Sequence, residues 1–467
     1  MFNLRVPLEA RDDIFLMNTL TDAQLVVSRD VAELLDRAAT NLFVGWTPSA
    51  EEQEALDLLT ENGFLVENRA ADRQALDRYM SSVKNDSSEL NITLLTTLQC
   101  NFACDYCFQG DHGDYNANAD KMSIATAERV ADWFERELDR VRPEKFVLTF
   151  FGGEPLLNLP VMYLLAERGF NAARARGLTF FTNIITNDLL LTPAVVDRMV
   201  PLGLNGIKIT LDGDKDTHNR MRPLRGGQGT FDRIVDNIRA VAGRCRIAIG
   251  GNFDETSAGS FPALLDYLKA QDFGDQLVKV NFKPIVRTAP VAAKGIIPLM
   301  PVGASGAKES LKGTCMTSVG SGAGAACDSC HTLEEQMTFI REETQRHGFP
   351  TNDGVPRGMC HVHKTHAHTI GPDGSLYACP GFTGQAALST GHIDDRRDSW
   401  RESALDKFER LHPWKECGDC AFIPTCAGGC VAASHSQLGD MNAPTCHKPS
   451  FESALIALAH TAASASA

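Results

Sequence analysis

Long apolar runs, excess basic charge and hydrolase signatures are all missing from this chain. No apolar segment approaches the roughly 20 residues that span a bilayer, and the start, MFNLRVPLEARDD, has no stretch long enough for a secretory signal. The 45 Lys and Arg residues are outnumbered by 59 Asp and Glu, for a formal net charge of −14. Such a field repels phosphate backbones and anionic lipid, so neither nucleic acid nor membrane is expected as a partner. There is no clear Ser–His or His–Asp pattern of the kind that activates a nucleophile. The expectation is a cytoplasmic protein. Its 467 residues allow about three domains at roughly 150 residues each.

Cysteine is what the chain has in quantity. Its 14 cysteines are too few for a small disulfide scaffold and too clustered for core filling. In a cytosolic chain, clusters of this kind point to metal or catalytic chemistry.

Residues 1–88 read as a small domain. FLMNTLTDAQLVV suggests paired strands, VAELLDRA a short helix, and FLVEN another short strand. Ser49 and Glu52 form a capping-box pattern that opens a helix ending at Gly63, and ADRQALDRYMSSV reads as a further helix. This inventory is winged-helix-like, and is equally consistent with a peptide-recognition module and with a packing cap. Across residues 89–286, six near-continuous apolar strands (ELNITLLTT, KFVLTFF, LTFFTNIIT, GIKITLD, RIAIGGN and LVKVNFKPIV) alternate with amphipathic helices. That pattern means parallel strands buried on both faces. The expected fold is α/β, a partial (β/α)6 TIM-like barrel, with reactive groups beyond the strand C-termini. Residues 287–358 form a Gly/Ala-rich bridging region with one helix, TLEEQMTFIREETQRHG. Residues 359–467 are cysteine-dense and poor in apolar core, as where bound metal replaces packing.

Cys100, Cys104 and Cys107 lie in CNFACDYC, directly after the first apolar strand. Three thiolates hold three irons of a [4Fe–4S] cube and leave the fourth with vacant positions. A zinc site, or packed thiols with one left over, are the alternatives. CNFACDYC resembles the C-x3-C-x-φ-C signature of the radical S-adenosylmethionine (SAM) family, with Tyr106 at the aromatic position. The second strand ends in FFGGEP, similar to that family's GGE motif (Gly152, Gly153, Glu154). The third ends in ITNDLLLT, similar to its TNG-type segment, with Asp188 in place of glycine. The fourth gives KITLDGDKDTHNRMR, similar to the stretch common in peptide-acting members.

The resemblance implies the following roles. Cys100, Cys104 and Cys107 bind the catalytic cluster. The two glycines expose backbone to the methionine part of SAM, and Glu154 accepts from its ammonium. Thr186 and Asn187 face the ribose, and Thr210, Asp212 and Arg222 are cofactor contacts. The implied chemistry is reductive cleavage of SAM to methionine and a 5′-deoxyadenosyl radical, which abstracts hydrogen from an unactivated C–H bond. A flavodoxin or ferredoxin would supply the electron.

Downstream, Cys360, Cys379, Cys417, Cys420, Cys426, Cys430 and Cys446 follow in the order and spacing of the SPASM domain. That domain binds two auxiliary [4Fe–4S] clusters, making three cubanes in all. The likeness assigns Cys417, Cys420, Cys426 and Cys446 to one auxiliary cluster and Cys360, Cys379 and Cys430 to the other. The fourth position of the second is either open or closed by Cys315, Cys327, Cys330 or a histidine of HVHKTHAH, whose alternating histidines also fit one face of a strand. Structural zinc is the alternative to both clusters. Cys245 reads as a buried core thiol.

SPASM enzymes include anaerobic sulfatase maturases and ribosomal-peptide maturases. The former carry an aspartate directly after the cysteine equivalent to Cys379, and here Pro380 stands there. The expected activity is therefore peptide modification, a cross-link or related C–H functionalisation, on a peptide or protein bearing a leader segment. Sulfatase-maturase-like oxidation of a protein Cys or Ser, and a non-catalytic iron–sulfur scaffold, are the competing readings.

Overall fold

A computed structural model of the chain describes residues 1–8, 12–39, 46–107, 120–285, 328–351, 355, 358–395, 408–446 and 448–465. The N-terminal part is an antiparallel sheet of β1 (Asn3–Leu8), β2 (Asp13–Asn18) and β3 (Gln24–Ser28), with β2 central. Around it lie α1 (Arg29–Ala39), α2 (Ala50–Glu61) and α3 (Arg69–Lys84). The Ser49–Glu52 capping box opens α2 as the sequence indicates. FLVEN, however, is not a strand. Gly63 turns the chain at φ +79°, and the Phe64 and Leu65 amides both donate back to the Leu59 carbonyl. Phe64 then drops into a small core with Leu16, Leu35 and Leu59.

The six apolar segments lie side by side in sequence order. They are β4 (Glu89–Leu95), β5 (Lys145–Phe151), β6 (Thr179–Thr186), β7 (Leu204–Thr210), β8 (Ile247–Phe253) and β9 (Leu277–Pro284). All five pairings are parallel. Between them run α4 (Ile124–Val141), α5 (Leu159–Arg176), α6 (Pro193–Met199), α7 (Lys215–Met221), α8 (Phe231–Val241) and α9 (Phe261–Lys269). The one-sided apolar pattern of α4 explains its docking: Ala127, Val130, Ala131, Phe134 and Leu138 are buried against the sheet, and Ser123 caps its first turn. The sheet does not close, which is the partial barrel that the alternation predicts.

The sheet is longer than the sequence indicates. After α10 (Asp328–Arg346), β10 (Ala367–Ile370) pairs in parallel with β4, and β11 (Ser375–Tyr377) and β12 (Gly391–His392) continue antiparallel, making nine strands. HVHKTHAH is thus not one strand face. His361–His363 form a 3-10 turn, and β10 begins only at Ala367. Loop backbone from the cysteine-dense region covers core shared with the N-terminal part: Phe2, Leu76 and Met80 pack with Met359, Trp414 and Ile423. The tail, featureless as sequence, is a helix over Lys448–Ala465 whose Leu455 and Ala459 pack with Val6, Leu8 and Phe15. Among the described residues no helix is long and apolar enough to cross a membrane.

His368 on β10 meets the Trp133 ring edge-on at 5.3 Å. Burial holds its imidazole down from 6.5 to about 4. Between those values the unfolded chain takes up a proton that the folded one refuses, so stability falls as pH drops from 6.5 towards 4. Thermal unfolding across that range should show the decline, and His368→Gln should make it shallower.

Candidate active site

The loop leaving β4 carries Cys100, Cys104 and Cys107, and it is tied down on three sides. Asn158 Nδ2 donates to the Thr96 carbonyl at 2.8 Å, Leu98 N–H to Asp120 O at 2.8 Å, and Ala103 N–H to Pro223 O at 2.9 Å. The three thiols lie close together, and Cys104 and Cys107 both act on Cys100. Burial, with added repulsion from Glu154 and the other two thiols, pushes Cys100 up to about 12. Burial pushes Cys104 up to about 11 against the pull of Arg222. The Phe102 N–H and the Asn187 side-chain amide both point at Cys100 Sγ, at 3.4 and 3.7 Å.

Gly152 and Gly153 carry the end of β5 across this loop. A Cβ on Gly152, which sits at φ +127°, would lie 2.3 Å from the Thr97 carbonyl oxygen, and one on Gly153 would lie 2.1 Å from that of Gln99. The Gly153 and Glu154 amides donate to those same carbonyls at 3.0 and 2.7 Å. The glycines therefore let two backbones touch, and these two amides are spent inside the protein. Gly153→Ala should push the cysteine loop off β5, costing about 1–3 kcal/mol by overpacking. Lower iron content after reconstitution, at unchanged secondary structure by circular dichroism, would show it.

Glu154 is fully buried, and burial raises its carboxyl despite three donors. Leu156 N–H, the Thr186 hydroxyl and Asn187 N–H donate to it at 2.9, 2.8 and 2.8 Å. Thr186 is thus engaged with Glu154, and the Asn187 amide also reaches Asn101 Oδ1 at 2.7 Å. Asp188 sits at φ +72°, the left-handed region that glycine takes most easily and Asp tolerates.

The fourth strand end builds a buried polar network. Asp212 accepts from the Tyr106 hydroxyl, from Asn252 N–H at 2.6 Å and from the Asn252 side chain at 3.3 Å. Arg222 donates to Tyr106 Oη at 2.6 Å, lies 3.6 Å from Asp212, and stands over the Phe102 ring at 5.5 Å. His218, held neutral by burial, accepts from Asp212 N–H at 3.1 Å. Sequence reading missed Asn252 and His218; an Asn at the end of a fifth strand and a His one turn into α7 were the available signals. Thr210 closes β7 opposite Gly250.

The C-terminal cysteines fall into two neighbourhoods. Burial raises Cys426 to about 12, and Cys417, Cys420 and Cys446 add to it. Cys379 is raised to about 12 by burial and then by Cys360 and Cys430, both of which are exposed. Gly428 and Gly429 make the first grouping possible, since a Cβ on Gly429 would meet Thr445 O at 1.9 Å and one on Gly428 the Trp414 amide at 2.7 Å. Cys315 and Cys327 lie outside the described residues, and Cys330 falls in the first turn of α10. Cys245 is half-buried.

Residues 94–250 match the Radical SAM superfamily. The chain carries a radical SAM domain. Among curated relatives it is 24% identical over 177 residues to the radical SAM cyclopropyl synthase TigE of Paramaledivibacter caminithermalis, covering 35% of this chain and 37% of that one. It is 29% identical over 147 residues to the AdoMet-dependent heme synthase of Methanosarcina barkeri, covering 31% and 37%. The chain thus spans little more than a third of the length of these relatives. Among solved structures, anSMEcpe with bound AdoMet superposes at a TM-score of 0.58 and 17% identity, over 80% of this chain and 99% of that one. Streptococcus suis SuiB bound to S-adenosylmethionine does so at 0.51 and 13%, over 96% and 98%. These likenesses show the fold.

The three-thiol site fits an iron–sulfur cluster and a polar cofactor chemically. Among the described residues no three His, Cys, Asp or Glu side chains form a group suited to holding a metal ion, whereas a cubane takes each thiolate on a separate iron. Beside the three thiols, Arg222 Nε and Asn101 Nδ2 are buried donors without a partner, the kind of group that a bound polar ligand satisfies.

Proposed function

We propose that this radical SAM protein is an enzyme that modifies a peptide by C–H functionalisation. The observation that carries the reading is the convergence of Cys100, Cys104 and Cys107 with Glu154, Asn187 and the Tyr106–Asp212–Arg222–Asn252 network at successive strand ends. When bound, a [4Fe–4S] cluster and SAM supply reductive cleavage and a hydrogen-abstracting radical. The chain's own part is to hold and orient. Cys100, Cys104 and Cys107 are the cluster ligands. The Asn187 amide and Phe102 N–H stabilise negative charge on the Cys100 sulfur. Glu154 fixes the turn after β6, and Arg222 Nε, a buried donor without a partner, would donate to the carboxylate of the cofactor. Asp212 holds Arg222 and Tyr106 in one orientation.

In the same reading, Cys417, Cys420, Cys426 and Cys446 ligate one auxiliary cluster, and Cys360, Cys379 and Cys430 another. The substrate class rests on three supports. Pro380 stands where a sulfatase maturase has its proton acceptor. The N-terminal sheet and helices adjoin the cysteine-dense region. Fold neighbours include anSMEcpe with the Cp18Cys peptide and SuiB bound to the precursor peptide SuiA.

Anaerobic purification tests both levels. About twelve irons per chain and formation of 5′-deoxyadenosine from SAM and dithionite are expected. Four or fewer irons with stoichiometric zinc would remove the auxiliary assignment, and intact clusters without nucleoside product would leave a scaffold. Cys417→Ala with Cys420→Ala should cost roughly four irons and all modified peptide, read by iron assay and mass spectrometry. A fully active double variant would contradict that role.

A further inference from the structure

The concave face of the open sheet holds a cluster that the cofactor network does not use. Register places Lys208 of β7 opposite Ala248 of β8, and Ala248 opposite Lys279 of β9, so the two lysines share one rung with only an alanine between them. Lys283, two repeats of the pleat further on, is level with Asn252. Ile207, Ile209 and Val280 on the other face are buried beneath the helices, which leaves the lysines on the side where the strand-end network opens. Lys208 folds across Gly250: a Cβ there would lie 2.5 Å from its Cε and 3.3 Å from its Nζ. Gly250 thereby keeps room for this amine.

None of the three ammonium groups has an ion-pair or hydrogen-bond partner among the described residues, although acidic side chains outnumber basic ones by 59 to 45 in the chain. Other cations of the same domain do meet a carboxylate, among them Arg168, Arg176, Arg239, Arg244 and Lys145. Lys208 is exposed, yet the protein around it and then the charges of Lys283 and Lys279 bring it down to about 8. Like charges gathered without a counter-ion are destabilising in the free protein and attract an anion from outside.

We propose that Lys208, Lys279 and Lys283 form a subsite for a carboxylate of the substrate, an acidic side chain or C-terminus of the peptide held inside the sheet near the SAM site. This rests on the peptide-modifying reading above. It also gives a chain of net charge −14 a local positive field that draws an acidic segment inwards.

Competition labelling of the holoenzyme tests it. A water-soluble N-hydroxysuccinimide ester modifies lysines in the SAM-saturated protein, and peptide mapping follows Lys208 and Lys279 against surface lysines. Glutarate, at about ten times the concentration for half-protection, should slow both sites roughly tenfold, and neutral glutaramide should not. Equal effects of the two compounds, or none, would overturn the subsite. If SAM alone protects Lys208 where methylthioadenosine, which lacks the carboxylate, does not, the anion belongs to the cofactor and the substrate assignment falls. The same samples assayed for 5′-deoxyadenosine separate the two readings: protection without nucleoside product leaves the subsite standing while the enzyme reading fails.

Discussion

Replacing Cys100, Cys104 and Cys107 together by alanine is expected to reduce 5′-deoxyadenosine formation to the background without enzyme, while about eight of twelve irons remain. The expectation follows from the loop's construction. Its backbone is fixed by Thr96, Leu98 and Ala103 through bonds that involve no sulfur, so the variant should keep its shape and lose only its ligands. Raised thiols at Cys100 and Cys104 mean that loading must displace protons, which makes iron uptake in the wild type stronger at higher pH. Nucleoside product from the triple variant at more than a few per cent of wild type would place the reductive site elsewhere.

Arg222→Met is expected to be the most damaging single change outside the cysteines. Arg222 and Asp212 expose 11% and 0% of their side chains, and the pair is joined through Tyr106. Removing the cation leaves a buried carboxylate with only hydrogen bonds to hold its charge, a loss of about 3–5 kcal/mol for breaking a buried pair. Asp212→Asn with Arg222→Met should recover part of that loss, because neither charge is then stranded. Differential scanning calorimetry reads the first effect and the double variant its rescue; equilibrium dialysis should find SAM bound more weakly in both. A single variant as stable as wild type would show that the network carries no charge worth pairing.

Much of the fold was legible because its periodicities are strong. Apolar runs such as KFVLTFF and LVKVNFKPIV are buried on at least one face along their length, and no alternative element accommodates them. The cysteine loop and GGE turn were legible as motifs but not as sterics. Only coordinates show that a Cβ on Gly153 would collide with Gln99 O. What escaped is non-local. Pairing of β10 with β4 joins residues far apart in the chain, and four short residues carry no pattern that names a partner. FLVEN looked like a strand by composition, yet one left-handed glycine turned it into a cap. Asn252 and Lys208 carry their meaning only through register, which sets one at Tyr106 and the other on one sheet face with two lysines. In a strand, polar residues facing an open concavity look the same as polar residues facing water.

The central claim is that Cys100, Cys104 and Cys107 hold a cluster whose remaining iron is open to SAM. Electron paramagnetic resonance of the dithionite-reduced protein, recorded with and without SAM labelled with 15N at its amino group, addresses it most directly. One cluster signal should shift on adding SAM and acquire a 15N coupling, and both changes should vanish in the triple alanine variant. A spectrum unchanged by SAM in the fully loaded protein would contradict it.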